Sequence, residues 1–200
     1  MKIFESGIIA IIRAKSEKEG RELAHALINA GVKSLEVTTT TPGVFTLIKE
    51  LAADGSLQVG IGTTITSEHV KQAHDAGAKY AISPHTDIAV IKATKNLGML
   101  SIPGVATGTE VATASAAGAD ILKLFPAFTY GPNHLKALID PFPGLKWLAT
   151  GGITIETVEA WFLAGASGLG LGGPITGGGP SEVAERLARF TAAIAKVRAK

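Results

Sequence analysis

Short apolar runs alternate with longer amphipathic stretches along the whole chain. Eight of these runs have the length and the Ile, Leu and Val content of buried strands, and turn or helix-capping residues follow them. The predicted strands are residues 7–13, 34–39, 57–62, 80–83, 99–102, 121–125, 146–149 and 168–171. Strands that are apolar on both faces are typical of a parallel sheet covered by helices.

A helix is predicted after each strand. Ser16 is placed to cap the first helix, with Glu19 at capping-box spacing, and Gly31 stops it. The eight helices are predicted over residues 16–30, 42–53, 66–77, 86–96, 109–117, 133–139, 154–164 and 181–200. Eight strands that each precede a helix predict a (β/α)8 barrel, the TIM-barrel architecture, formed by residues 1–200 as a single domain. A doubly wound open sheet is the competing architecture, and the strand count favours the barrel.

Composition narrows the class of protein. The 200 residues are 46% hydrophobic and 18% charged, which suits one domain with a sizeable core. The net charge is +2 and the basic residues are scattered, so no nucleic-acid partner is expected. The absence of cysteine fits a reducing compartment and excludes thiolate metal sites. No signal peptide or membrane-spanning run is apparent, so a soluble, cytoplasmic protein without a membrane partner is expected.

Lys123 stands inside an apolar run that otherwise has the character of a buried strand, ILKLF, closed by Pro126. Burying an ammonium costs several kcal/mol unless the group is paired or loses its proton. A lysine driven toward the neutral amine is a nucleophile for carbonyl groups and forms Schiff bases. The alternative is that Lys123 points outward or ends the strand in a salt bridge.

Glu36 is the second ionisable residue in a predicted central strand. Strand side chains alternate, so Glu36 faces away from Leu35 and Val37, and Lys123 likewise faces away from its neighbours. Both side chains are therefore expected inside the barrel and near each other. A carboxylate beside a nucleophilic amine can move protons. The alternative is a structural ion pair across the barrel.

The remaining candidates follow from a property of this fold, in which active sites lie at the carboxyl ends of the strands. The polar, proline and glycine residues at those ends include Arg13, Thr63, Pro84, Thr150, Gly151, Gly152, Gly172 and Gly173. The glycines after the last two strands suit either phosphate binding through backbone N–H groups or tight turns. The run at 177–179 is interpreted as a flexible loop, and the five histidines have no metal-ligand spacing, so no metal is expected.

These residues resemble the family of 2-keto-3-deoxy-6-phosphogluconate aldolases and 4-hydroxy-2-oxoglutarate aldolases over nearly the whole chain. The matching stretches are LEVTTTTP with Glu36, GIGT with Thr63, AISPH with Pro84, IPGVATGTE, ILKLFPA with Lys123, ATGGI, and the glycine pair near Gly172. A glutamate in the second strand, KLFPA and TGGI in this order and spacing are together specific.

The resemblance implies a class I aldolase that needs no metal or other cofactor and assembles as a homotrimer. Its substrates would be a small 2-keto acid and an aldehyde, with 2-keto-3-deoxy-6-phosphogluconate of the Entner–Doudoroff route as the first choice. The implied catalytic roles are a Schiff base on Lys123 and proton transfer by Glu36. The implied substrate-binding roles are packing of Phe125 beside the Schiff base, carboxylate binding by Arg13 and Thr63, and phosphate binding by Thr150, Gly151, Gly152, Gly172 and Gly173, with Pro84 as a further substrate-binding residue.

The chain departs from the family pattern at two places that bear on its substrate. Many relatives carry an arginine at the position of Thr40, and Arg13 is expected to replace it. The phosphate-binding serine of relatives corresponds to Gly173, and Pro174 after it has no N–H. An unphosphorylated 2-keto acid or 4-hydroxy-2-oxoglutarate is therefore an alternative substrate. Two further hypotheses are a non-covalent phosphate-binding barrel isomerase or synthase and a non-catalytic barrel that binds or scaffolds.

Overall fold

The strands form one parallel sheet in the computed structural model, which describes residues 2–199. They are β1 (Ile8–Ile12), β2 (Ser34–Thr38), β3 (Gln58–Gly62), β4 (Tyr80–Ile82), β5 (Leu100–Ile102), β6 (Gly104–Val105), β7 (Leu122–Leu124), β8 (Trp147–Thr150) and β9 (Gly168–Leu171). Their order in the sheet is β5-β4-β3-β2-β1-β9-β8-β7-β6. Met1 and Lys200 lie outside the described residues, and Lys200 is the predicted end of the last helix.

The two ends of this sheet meet at β5 and β6, which are two pieces of one extended segment. The segment was predicted to stop at Ile102, but the strand resumes at Gly104, which pairs with Lys123 of β7. Pro103 interrupts the ladder because it has no N–H, yet its carbonyl oxygen accepts a bond of 2.9 Å from the Lys123 amide. The Asp120 amide likewise donates to Ser101 O at 3.0 Å. These bonds close the sheet, and the predicted (β/α)8 barrel is confirmed.

The helices surround the barrel. They are α1 (Glu17–Asn29), α2 (Val44–Ala52), α3 (Ser67–Asp75), α4 (Ile88–Asn96), α5 (Gly108–Ala116), α6 (Ala127–Ile139), α7 (Val158–Leu163), α8 (Gly173–Thr176) and α9 (Val183–Arg198). Ser16 caps α1 as predicted, because its Oγ accepts from the Glu19 amide at 3.2 Å. Helix α6 begins six residues before the predicted Asn133, with a kink at Gly131, and the short α8 was not predicted.

The apolar side chains divide into two layers. Residues such as Leu35, Val37 and Leu122 face outward and pack against the helices. A smaller cluster fills the barrel interior and consists of Ile3, Phe4, Ile9, Tyr80, Ile82, Ile102, Ile121 and Leu148. Arg198 at the end of α9 donates to the carbonyl oxygens of Phe4 and Glu5 and so holds the N-terminal segment in place. The amino-terminal end of the barrel is thereby filled, and the polar interior residues lie toward the carboxyl end.

Within residues 2–199, no helix is both long enough and apolar enough to cross a membrane.

Candidate active site

Lys123 lies on the inward face of β7. Its neighbours Leu122 and Leu124 pack outward against the helices, so the alternation of the strand turns the lysine into the barrel. The side chain is only 5% exposed, and Nζ lies 4.6 Å from the centroid of the Phe125 ring. Burial lowers the pKa of the Lys123 ammonium, the charge of Glu36 opposes this shift, and the charge of Arg13 adds to it. The amine therefore gives up its proton more readily than an exposed lysine does.

Glu36 occupies the equivalent inward position on β2. It is 2% exposed, and its Oε2 is buried without a hydrogen-bond partner among the described residues. Burial raises the pKa of the Glu36 carboxyl, while the charges of Lys123 and Arg13 act in the opposite direction. A carboxylate whose pKa is raised is a stronger base than an exposed one, which suits it to proton transfer.

Lys123 and Glu36 influence each other electrostatically without forming an ion pair. Their charged groups do not come within the 4.0 Å that such a pair requires, and neither side chain has another ion-pair partner in the described chain. The structural ion pair that the sequence left open is therefore not formed. The two groups act on each other through their charges and not through a direct contact.

A cavity of about 540 Å³ opens at the carboxyl end of the barrel. Its size falls in the range of small-molecule sites. The predicted residues that line it are Arg13, Thr150, Gly151, Gly152, Gly172 and Gly173. Thr150 contributes a buried hydroxyl that has no hydrogen-bond partner in the described structure, and the absence of a side chain at Gly170 makes room for it.

The other predicted site residues do not line this cavity; they are Lys123, Glu36, Thr63, Pro84 and Phe125. Phe125 bridges Lys123 and the cavity, because its ring contacts Lys123 and approaches Gly151 of the cavity wall. The carbonyl of Pro84 packs against Gly104, the strand partner of Lys123.

Thr63 follows β3 and has a left-handed backbone with φ of 56°. This conformation is uncommon for a β-branched residue, and such strain is concentrated at functional sites. The Thr39 hydroxyl donates to Thr63 O at 2.9 Å and holds the turn. A strained turn thus lies directly after β3, the strand that pairs with Glu36 of β2.

Residues that were not predicted as part of the site also line the cavity, among them Lys15, Glu19, Gly177 and Gly179. Lys15 stands two residues after Arg13 in the segment between β1 and α1, and a second positive charge so close to the end of β1 was the available signal. Glu19 Oε2 accepts from the Lys15 amide at 2.7 Å. The glycine run interpreted as a flexible loop therefore forms part of the cavity wall.

No cluster of three or more His, Cys, Asp or Glu side chains suited to a metal ion occurs within residues 2–199.

Comparison with known proteins decides the family. The family model for KDPG and KHG aldolases matches residues 1–184. The chain belongs to the KDPG and KHG aldolase family. It is thus an aldolase, a lyase of carbohydrate metabolism, as the resemblance implied.

The most similar members of this family include enzymes for different sugar acids. The chain is 34% identical over 193 residues to the 2-dehydro-3-deoxy-6-phosphogalactonate aldolase of Escherichia coli K12, covering 94% of this chain and 93% of that one. A solved structure described as native KDPGal superposes with a TM-score of 0.91 at 31% identity over 96% of each chain. KDPG aldolase from Legionella pneumophila, solved with pyruvate captured as a covalent carbinolamine intermediate, has a TM-score of 0.81 at 29% identity and covers 98% of this chain and 95% of its own.

Proposed function

We propose that this aldolase cleaves a six-carbon 2-keto-3-deoxy sugar acid to pyruvate and an aldehyde through a Schiff base on Lys123. The observation that carries the proposal is a buried lysine that faces the barrel interior, has a lowered pKa and has no ion-pair partner in the described chain. The covalent carbinolamine in the Legionella pneumophila relative supports the same chemistry.

The first step joins the substrate to the enzyme. The neutral Lys123 amine attacks the C2 keto carbon and forms a carbinolamine, whose hydroxyl leaves as water when it is protonated. The resulting iminium carries the positive charge that this proton brought to the carbinolamine. Glu36 is our assignment for the donor of that proton, because burial raises the pKa of its carboxyl and the group lies on the inward face of the barrel.

The second step breaks the C3–C4 bond. Glu36, now a carboxylate, accepts the proton of the C4 hydroxyl, directly or through the water, and the aldehyde forms as the bond electrons move into the iminium. The product on Lys123 is a neutral enamine instead of a free carbanion. Protonation at C3 and hydrolysis then release pyruvate and regenerate the amine.

Arg13 and Thr63 remain our assignment for the substrate carboxylate. Arg13 lines the cavity and is close enough to act electrostatically on both Lys123 and Glu36. A guanidinium in that place can bind a carboxylate with two parallel hydrogen bonds. Phe125 and Pro84 would then form the apolar wall around the Schiff base.

Reduction in the presence of pyruvate tests the covalent step. Borohydride is expected to convert the iminium into a stable amine, so that peptide mass spectrometry finds the reduced pyruvyl group on Lys123 and not on the exposed Lys33. Because burial lowers the pKa of Lys123, trapping should persist at a pH where exposed lysines are largely protonated. An unmodified Lys123 at saturating pyruvate would overturn the proposed mechanism.

We propose that the substrate carries a distal phosphate, held between Lys15 and the glycine-rich wall that includes Thr150, Gly152 and Gly172. The first turn of α8 can contribute little. The amides of Ile175 and Thr176 both donate to Gly172 O at 2.9 Å, and Pro174 has no N–H. Lys15 and Arg13 both line the cavity as cationic side chains, and Arg13 is already assigned to the carboxylate. Glu19, which neighbours Lys15, accepts a hydrogen bond from the Lys15 amide.

Lys15→Met is expected to raise KM for a phosphorylated 2-keto-3-deoxy acid by roughly tenfold, because a hydrogen bond to a charged group contributes about 1.5–3 kcal/mol and exposure weakens it. The KM for the matching unphosphorylated acid should not change. Pyruvate release measured with both substrates in their gluconate and galactonate forms gives the comparison.

Lys18→Met is the matched control, because Lys18 is close to Lys15 in sequence but is 86% exposed and does not line the cavity. If Lys15→Met changes both KM values equally, or if the wild type prefers the unphosphorylated acid, the phosphate assignment is wrong.

We also propose that the enzyme is a cytoplasmic homotrimer, as the family resemblance implies. Large apolar side chains are exposed in segments that follow strands β3, β4 and β7 at the carboxyl end of the barrel: Ile65, Ile88, Phe128 and Tyr130. The Phe128 side chain is 71% exposed. Burial of these side chains between subunits would remove apolar surface from water, and analytical ultracentrifugation would distinguish a trimer from a monomer of 20.5 kDa.

A further inference from the structure

The inward face of β3 has no side chains at two successive positions, Gly60 and Gly62. Neither residue has a positive φ, so the strand backbone does not itself require glycine there. Both are buried, and neighbouring side chains fill the space that their own would occupy. A Cβ on Gly60 would overlap the ring of Tyr80, and a Cβ on Gly62 would overlap Oε1 and Cδ of Glu36. The need for glycine at these positions is therefore spatial.

The register of the strands shows how Glu36 reaches this space. The Cα of Glu36 pairs with Gly60, and Gly62 pairs with Thr38, two residues further along β2. The Glu36 side chain thus leans toward the carboxyl end of the barrel. Its carboxylate lies over Gly62, which is two residues beyond Gly60, the strand partner of Glu36. This direction carries the carboxylate toward the end where the cavity opens.

Packing, and not hydrogen bonding, holds the carboxylate there. Its Oε2 has no hydrogen-bond partner, and no ion pair anchors Glu36 within the described chain. A carboxylate without such anchors keeps its position only as long as the wall beside it keeps its shape. We propose that Gly62 is a positioning residue for the aldol reaction, because its missing side chain forms the space that aims the Glu36 carboxylate at the substrate.

This inference rests on the proposed function, in which Glu36 transfers protons. Gly62→Ala is expected to lower kcat for cleavage by about 10²-fold, since a displacement of about 1 Å of a catalytic group costs on this order. KM should change little, and borohydride with pyruvate should still label Lys123 to the same final extent. A merely structural role would reduce the amount of folded enzyme but would not separate kcat from labelling in this way.

Gly60→Ala is the matched control on the same strand and the same inward face. Its new methyl group displaces the Tyr80 ring of the interior cluster and not the Glu36 carboxylate. Both variants should unfold at a lower temperature than the wild type, but Gly60→Ala should keep kcat, per folded molecule, within tenfold. A loss of kcat in Gly60→Ala as large as that in Gly62→Ala would overturn the proposal.

A double-mutant cycle tests the contact even where activity is low. Glu36→Ala removes all three Glu36 atoms that lie close to the added methyl group, so adding Gly62→Ala should then cost little further thermal stability. If Gly62→Ala lowers Tm equally in both backgrounds, Gly62 does not accommodate Glu36. Failure of wild-type trapping would instead reject the Schiff-base function, and the two outcomes are thus distinguishable.

Discussion

Replacing Lys123 with methionine is expected to lower kcat/KM for cleavage by about 10³-fold or more and to abolish borohydride labelling by pyruvate, because the covalent intermediate cannot form without the amine. Methionine fits the same buried space beside Phe125 and has no group to desolvate. Lys123→Arg should be equally inactive, since a guanidinium does not lose its proton. Coupled detection of pyruvate with Lys33→Met as the control gives the measurement, and appreciable turnover by Lys123→Arg would favour a non-covalent mechanism.

Lys123→Met should not impair folding. Lysine in the unfolded chain has a pKa of about 10.4, and burial lowers the pKa in the folded state. When the protein folds below pH ~10.4, Lys123 must therefore either lose its proton or be buried with its charge. Both cost free energy, so Lys123 destabilises the folded wild type increasingly as the pH falls from ~10.4 toward the pKa of the folded state. Lys123→Met lacks this penalty, and its Tm should exceed that of the wild type by more at neutral pH than at alkaline pH. A lower Tm at neutral pH would show that the buried lysine contributes to stability.

Glu36→Gln is expected to lower kcat by 10²- to 10⁴-fold, the usual contribution of a positioned acid–base group. Glutamine has the same shape and fills the same space over Gly62, so the loss reports on proton transfer and not on packing. Its neutral amide also removes the charge that opposes the pKa shift of Lys123, and the pKa of the lysine should therefore fall further. The amine stays available, and prolonged incubation with pyruvate and borohydride should still label Lys123.

The pH dependence of labelling separates the two possible roles of Glu36. With the carboxylate removed, the acid limit of Lys123 labelling should move to lower pH while the labelling rate falls. Unchanged kcat in Glu36→Gln would show that Glu36 has only an electrostatic effect on the lysine and would reject the proton-transfer role.

The hydrophobic periodicity of the chain was enough to predict much of the fold and the inward positions of Lys123 and Glu36. Leu122 and Leu124 pack outward, and Leu35 and Val37 do the same on β2, so alternation alone predicted that Lys123 and Glu36 face inward together. Their catalytic roles stay predictions until the variants above are measured. The helix ends were also predictable where capping is local, as at Ser16.

Other features were set by contacts between segments distant in sequence. The resumption of the strand at Gly104 depends on closure of the barrel against β7, which no local pattern encodes. Lys15 and Gly177 line one cavity only because the ends of β1 and β9 are neighbours in the sheet. Alternation specifies the face on which a side chain lies, but strand register and barrel closure decide what it touches. For this reason the sequence determined the barrel and its inward lysine and glutamate, whereas the tertiary structure decided that they form no ion pair and that Glu36 lies over Gly62.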